Sequence, residues 1–418
     1  MIAIKQMQNG IRVITERMPH VHSVAIGVWV DNGSVRERGS EAGASHFIEH
    51  MVFKGTDKRS AEQIAIDMDA VGGNLNAFTS KECTCYYAKV LDEHLNVACD
   101  ILSDIVLHAR FDAQEVKKEQ GVIVEEILMT EDSPEDLAAE TATELFFEGD
   151  PLASPILGTR ETVTAFTRES LLAYKDRHYL PGNIVIACAG NLDEETLYAL
   201  IEEKFDMQAN EKSAPPLEEA YAGGKRVKLV KKDIEQVHIS MTLPGFARDT
   251  EGQYPLAVLS NIIGGSMSSR LFQSVREQRG LAYSIYSYPS SYTATGSFSL
   301  YAGTGEKQAV EVARLMLEEL DRIRRDGVRE DELARCREQL KGSYVLGMET
   351  SSAHMNAIGK VLLLQKREYN EAETLSRIEC VTMDDIERII PVCLNTENLC
   401  AAFVGRVDAH GKELETLL

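Results

Sequence analysis

Slid along itself by about 215 residues, this 418-residue chain comes into register with its own second half, and nothing else constrains its fold as strongly. Ser23–Val28 falls on His238–Leu243, strand text on strand text. Further on, Thr167 meets Thr382, Asn183 meets Asn398, Gly190 meets Gly405 and Asp193 meets Asp408. With a small change in loop length, Phe111–Glu126 matches Val328–Ser343, and the apolar runs Ile184–Ala189 and Leu399–Val404 return near the end of each half. Each half reads as strands, then long helices, then a returning strand. The predicted class is α+β: two similar domains, each an antiparallel-rich sheet packed with helices. Met207–Gly224 carries Pro215, Pro216, Gly223 and Gly224 among charges and reads as a linker. The expected division is therefore residues 1–206, a linker over 207–224, and residues 225–418.

Only one copy carries an evident chemical motif. His46-Phe47-Ile48-Glu49-His50 reads His-x-x-Glu-His. At about 100° per helical residue, His46, Glu49 and His50 share one arc, while Phe47, Ile48, Met51 and Val52 take the other side. Two imidazoles one turn apart can bind a single Zn²⁺ from one helix face while the apolar face anchors the helix. Glu49 then stands near enough to act on a metal-activated water without being a ligand. The bland alternative is a surface helix that happens to hold two histidines, and the apolar face weighs against it. The second half has no such motif, and Cys336 and Ser343 stand where the first half has Glu119 and Glu126.

A catalytic zinc takes three protein ligands and keeps a position for water. The stretch from Phe111 to Glu126 reads as a helix with an acidic first turn and an apolar stripe of Val116, Ile123 and Ile127. Glu119 and Glu126 lie two turns apart on one face, and Glu125 is about 100° away from them. Glu126 is the chosen third ligand, with Glu119 close behind it. By composition alone, acidic residues on a helix are more often a solvated face.

Together these residues resemble the insulinase/pitrilysin family of inverted-motif zinc peptidases, in its short type typified by the β subunit of mitochondrial processing peptidase and its bacterial relatives. That family places a liganding Glu about 76 residues after the motif, which is the separation of His50 and Glu126 and favours Glu126 over Glu125. A second family Glu, seven residues earlier, is matched by Glu119. Gly43–Thr56 and Gly72–Thr79 follow the family text closely, and the resemblance runs from about residue 4 to residue 410 with no departure at a catalytic position.

The resemblance implies a zinc metalloendopeptidase holding one Zn²⁺ per chain on His46, His50 and Glu126, with Glu49 as general base and Glu119 tuning the site from behind. It also implies that Asn76, Ala77, Phe78 and Thr79 lie on an edge strand to which an extended peptide or precursor leader adds. Arg276 and Tyr283, in Arg276-Glu277-Gln278-Arg279-Gly280-Leu281-Ala282-Tyr283, would contact substrate and the developing oxyanion. Larger relatives carry four such domains in one chain, so a two-domain chain implies a homodimer with shared active sites. The alternative is a non-catalytic structural or peptide-binding subunit. Inactive relatives have lost motif residues that this chain keeps, and a structural zinc would need a fourth ligand that the sequence does not offer.

Composition sets the outer bounds. The net charge of −22 argues against a nucleic-acid partner, and suits basic peptides or plain solubility. No apolar run approaches the roughly 20 residues a bilayer span needs, and Met1–Gln6 has no signal-peptide pattern. No membrane insertion and a cytoplasmic location are expected. The eight cysteines form no Cys-x-x-Cys pair and read as free, mostly buried thiols.

Overall fold

The computed structural model describes residues 2–210, 214–217 and 224–417. Residues 211–213 and 218–223 of the expected linker lie outside the described residues.

Each half builds one sheet. The first has six strands: β1 (Ile2–Gln6), β2 (Arg12–Arg17), β3 (Ser23–Val30), β4 (Asn74–Thr79), β5 (Thr84–Leu91) and β6 (Ile184–Gly190), in the order β1-β2-β6-β3-β5-β4. The second has β7 (Arg226–Lys231), β8 (Gln236–Pro244), β9 (Ala282–Ser291), β10 (Gly296–Gly305) and β11 (Cys400–Gly405), in the order β7-β11-β8-β10-β9. Among the described residues only β2–β6 and β7–β11 are parallel pairs. The sheets therefore match strand for strand, β3 with β8 and β6 with β11, and β1 has no counterpart among the described residues. Both are antiparallel-rich and packed with helices, as the α+β reading requires.

The helices α1 (Ala44–Val52), α2 (Ala61–Asp69), α3 (Leu95–His108) and α4 (Ala113–Asp132) follow or interrupt the strands of the first sheet. The period of two in β3 explains how they pack. Val24, Ile26, Val28 and Val30 point into a core shared with α1 and α3. Ala25 and Trp29 point the other way and are equally buried. A strand covered on both faces reads as a continuous apolar run, and β3 and β6 both do.

What covers the second face comes from far along the chain. The helix Ser351–Gln365, started by Thr350 whose side chain accepts from the Ala353 N–H, packs on β6, β3 and β2. A Cβ on Gly27 would stand 2.6 Å from Met355 Sδ, and one on Gly359 would stand 2.4 Å from Trp29 Nε1. These two glycines let helix and sheet approach. The exchange is reciprocal, because α5 (Pro134–Phe146), begun by a proline in its first turn, packs on β11, β8 and β7 of the second sheet. One compact unit is thus Met1–Ile127, Ser154–Pro216 and Val345–Tyr369; the other is Leu128–Ala153, Leu217–Tyr344 and Asn370–Leu418. Each half read from the sequence lends one helical segment to the other unit, because each sheet buries both faces and its own half supplies the cover for only one.

Candidate metal centre

The start of α1 is held from a distance. Gly43 has φ of 89°, a left-handed conformation that suits glycine, and a Cβ there would meet Leu157 O at 2.6 Å. Glu37 then does what no N-cap side chain does. Its carboxylate accepts from the Gly43 N–H at 2.6 Å and the Ser45 N–H at 2.7 Å, and its charge suits a helix N-terminus. Burial pushes the Glu37 pKa up, against these hydrogen bonds, which lower it. Ser45 Oγ in turn lies 3.0 Å from Asn32 Nδ2 and 3.2 Å from Tyr174 OH. Phe47, Ile48, Met51 and Val52 are fully buried. Cap and apolar face together fix the rotation of α1, so His46, Glu49 and His50 emerge on one side.

The helix α4 presents Glu119 and Glu126 to that side. Glu126 Oε2 lies 3.7 Å from His46 Nε2 and 3.5 Å from His50 Nε2. One ligand atom from each of the three residues falls within 4.8 Å of the others, and no other such group occurs among the described residues. Donors at about 2.0–2.2 Å from a tetrahedral zinc stand roughly 3.3–3.6 Å apart, so the donor set and its spacing fit a zinc ion. Glu125 is exposed and outside the group.

The electrostatics favour ligation. Burial, reinforced by the neighbouring His50 and opposed by Glu119, lowers the His46 pKa to about 3, so the ring is neutral and keeps a lone pair at neutral pH. Glu119 Oε1 lies 2.8 Å from His50 Nδ1. An ionised carboxylate can only accept, which assigns the proton to Nδ1 and the lone pair to Nε2. Burial alone would raise the pKa of Glu119; its hydrogen bonds to His50 and Lys54 outweigh that and hold it below the usual carboxylate range.

Glu49 stays outside the ligand group. Its Oε2 accepts from Thr79 Oγ1. Burial raises its pKa, opposed by the Thr79 hydrogen bond and by His50, and reinforced by Glu126. Thr79 ends β4, an edge strand paired only with β5 among the described residues. Within that strand Asn76 is exposed, its Oδ1 accepts from the Ala77 N–H at 2.8 Å, and Phe78 sits edge-on to Trp29 with ring centroids 5.5 Å apart.

Arg276 and Tyr283 belong to the second unit. Arg276, in the π-helical turn Phe272–Glu277, stacks its guanidinium 4.7 Å from the Tyr283 ring centre and 4.6 Å from that of Phe272. Tyr283 is 76% exposed. The structure thus brings these two together. It also adds three residues that sequence reasoning missed in these roles: Glu37, Lys54 and the Thr79 side chain. Lys54 had a signal, lying one turn beyond His50. Glu37 and Thr79 had none, since their partners are met only in the folded chain.

Comparison with known proteins gives the family. The family described as insulinase (peptidase family M16) matches residues 12–160, and the one described as peptidase M16 inactive domain matches residues 165–340. The uncharacterized zinc protease YmxG of Bacillus subtilis is 42% identical over 398 residues, covering 95% of this chain and 97% of that one. An uncharacterized zinc protease of Streptomyces coelicolor is 40% identical over 390 residues, covering 92% and 85%. In fold, the peptidase M16 inactive domain from Pseudomonas fluorescens superposes with a TM-score of 0.90 at 17% identity, covering 97% of this chain and 98% of that one. A protease from Helicobacter pylori gives a TM-score of 0.87 at 19% identity, covering 97% and 99%. With two relatives named zinc proteases aligned along nearly its whole length, the chain belongs to the insulinase family of peptidases, family M16, in its short bacterial type.

Proposed function

We propose that this protein is a zinc metalloendopeptidase that cuts extended peptides or precursor leaders, with one Zn²⁺ per chain on His46, His50 and Glu126. The observation that carries this reading is a set of three donors within 4.8 Å of one another beside a carboxylate, Glu49, that is not one of them. When bound, zinc would polarise a water and the scissile carbonyl. Glu49 takes the proton of the attacking water and returns it to the leaving amine. Its raised pKa makes it a stronger base than a free glutamate, and Thr79 fixes one of its oxygens. Glu119 holds the His50 ring by Nδ1.

The peptide adds to the open edge of β4 along Asn76, Ala77, Phe78 and Thr79. Because Thr79 also touches Glu49, that register brings the substrate backbone beside the base. Arg276 and Tyr283 contact the substrate and stabilise the developing oxyanion. The acidic charge of the chain suits basic peptides. Eight free cysteines support a reducing, cytoplasmic location.

The test is zinc-stripped and zinc-reloaded protein incubated with a mixed peptide library, with cuts mapped by mass spectrometry. Zinc-dependent internal cleavage is expected. Equal cleavage by the stripped protein, or by Glu49→Gln, overturns the reading. The chain is further proposed to work as a homodimer in which Arg276 and Tyr283 act on the partner's site. Mixing Glu49→Gln with Arg276→Ala should then restore part of the activity, and no recovery despite proven heterodimers rejects that arrangement.

A further inference from the structure

The buried carboxylate of Glu119 has two oxygens and a partner on each, and both partners come from the same end of α1. His50 Nδ1 lies 2.8 Å from Oε1, and Lys54 Nζ lies 2.7 Å from Oε2. Lys54 follows Phe53, the residue that closes α1, and its own N–H still donates to Met51 O at 3.1 Å. The lysine therefore hangs back under the helix it has just left, one turn beyond His50. The Glu119 side chain is only 4% exposed, so an oxygen that lost its donor would not find water in place. The lysines of α4 beside Glu119 are engaged elsewhere, Lys117 on Gln120 and Lys118 on Glu115.

A carboxylate held at one oxygen can swing; held at both by charged or polar donors, it is fixed in one orientation. From this geometry we propose that Lys54 is a positioning residue for the metal centre: it clamps Glu119, and Glu119 in turn holds the His50 ring with Nε2 turned to Glu126. The proposal rests on the zinc site assigned above and adds to it a residue outside the three ligands. An exposed lysine–glutamate pair would contribute little. This pair differs because its acid is buried and its other oxygen is occupied by a metal-binding histidine, and such outer partners govern metal affinity.

The test uses the full chain, zinc-free at the start, and the variants Lys54→Met, Lys54→Arg and His50→Ala. Zinc affinity is read by competition with a chromophoric chelator. Lys54→Met should bind zinc about 10-fold more weakly or worse, Lys54→Arg should stay within about 3-fold of the parent, and His50→Ala should be the weakest. In the zinc-free proteins, long-range ¹H–¹⁵N correlation of the His50 ring should show a single Nδ1–H tautomer in the parent and Lys54→Arg, and a mixture in Lys54→Met. A lysine that merely stabilised the fold would leave the tautomer alone. Unchanged affinity in Lys54→Met while His50→Ala loses zinc overturns the role of Lys54 and leaves the metal centre standing. Unchanged affinity in His50→Ala overturns the metal centre itself. Equal losses in the Met and Arg variants also reject the clamp, because Arg keeps the charged donor. If Lys54→Met does not fold, Lys54→Gln is judged by the same criteria.

Discussion

The two halves share a sheet strand for strand and part company immediately after the central strand. Past β3 comes α1, nine residues carrying His46, Glu49 and His50. Past β8 comes the helix Gln253–Ser260, which runs into a π-helical turn, Asn261–Gly265, ending in two glycines and holding no His, Cys, Asp or Glu. The later helices differ in the same way. Where α4 has Glu119 and Glu126, the matching helix Glu330–Gly347 has Cys336 and Ser343.

The second half does bury carboxylates. Glu319 and Glu332 are almost inaccessible, but both are committed to Arg270, at 3.2 and 2.7 Å. Those charges neutralise one another within an ion-pair cluster. In the first half the two imidazoles and Glu126 converge instead. The lesson is that topology supplies two helices beside a sheet edge, and residue identity alone decides whether their facing groups cancel one another or converge as a set of donors.

The sharpest way to break this comparison is to remove the donors. His46→Ala, His50→Ala or Glu126→Gln should abolish zinc content and hydrolysis together, measured by elemental analysis and peptide cleavage. Glu125→Gln, and His238→Ala in the second half, should leave zinc in place. Zinc retained by Glu126→Gln and lost by Glu125→Gln would mean that the helix register is wrong.

Separating base from ligands comes next. Glu49→Gln should keep full zinc content while turnover falls by about 10²–10⁴-fold.

A smaller effect concerns pH. The Thr79 hydrogen bond lowers the pKa of Glu49, so Thr79→Val should raise that pKa further. In the proposed mechanism Glu49 works ionised, so the acid limb of the rate profile should move to higher pH. Thr242→Val, on the second sheet, should leave the profile alone.

Stability should carry the signature of His46. The unfolded chain takes up a proton there below its ordinary pKa of 6.5, whereas the folded protein resists until about 3. Zinc-free protein should therefore lose stability as pH falls through that window. Denaturant midpoints at pH 7 and pH 5 should show a smaller drop in His46→Gln than in the parent.

The smallest expected change is in the cap. Glu37→Gln, which weakens the hold on the start of α1, should cost about 1–3 kcal/mol by denaturant titration.

Much of the site was legible because helical periodicity is local. Seven-residue spacing put Glu119 and Glu126 on one face, and the apolar half of α1 fixed where its polar half would point. The cap, the clamp and the Thr79 contact were hidden for the opposite reason. Glu37 is ordinary loop text until Gly43 and Ser45 turn their N–H groups toward it, and Thr79 meets Glu49 only after the edge strand is laid beside α1.

By itself the sequence determined the duplication, the strands and helices of each half, and the faces that carry the histidines and the glutamates. The unbroken apolar runs of β3 and β6 are what strands buried on both faces carry. Tertiary structure alone decided that α1 and α4 turn those faces toward each other, and which helix covers the second face of each sheet. Hydrophobic burial is non-directional, so an apolar strand face asks for cover without naming it. The choice fell to close fit, with Gly359 against Trp29 and Met355 against Gly27, and shape complementarity of that kind exists only between segments already folded.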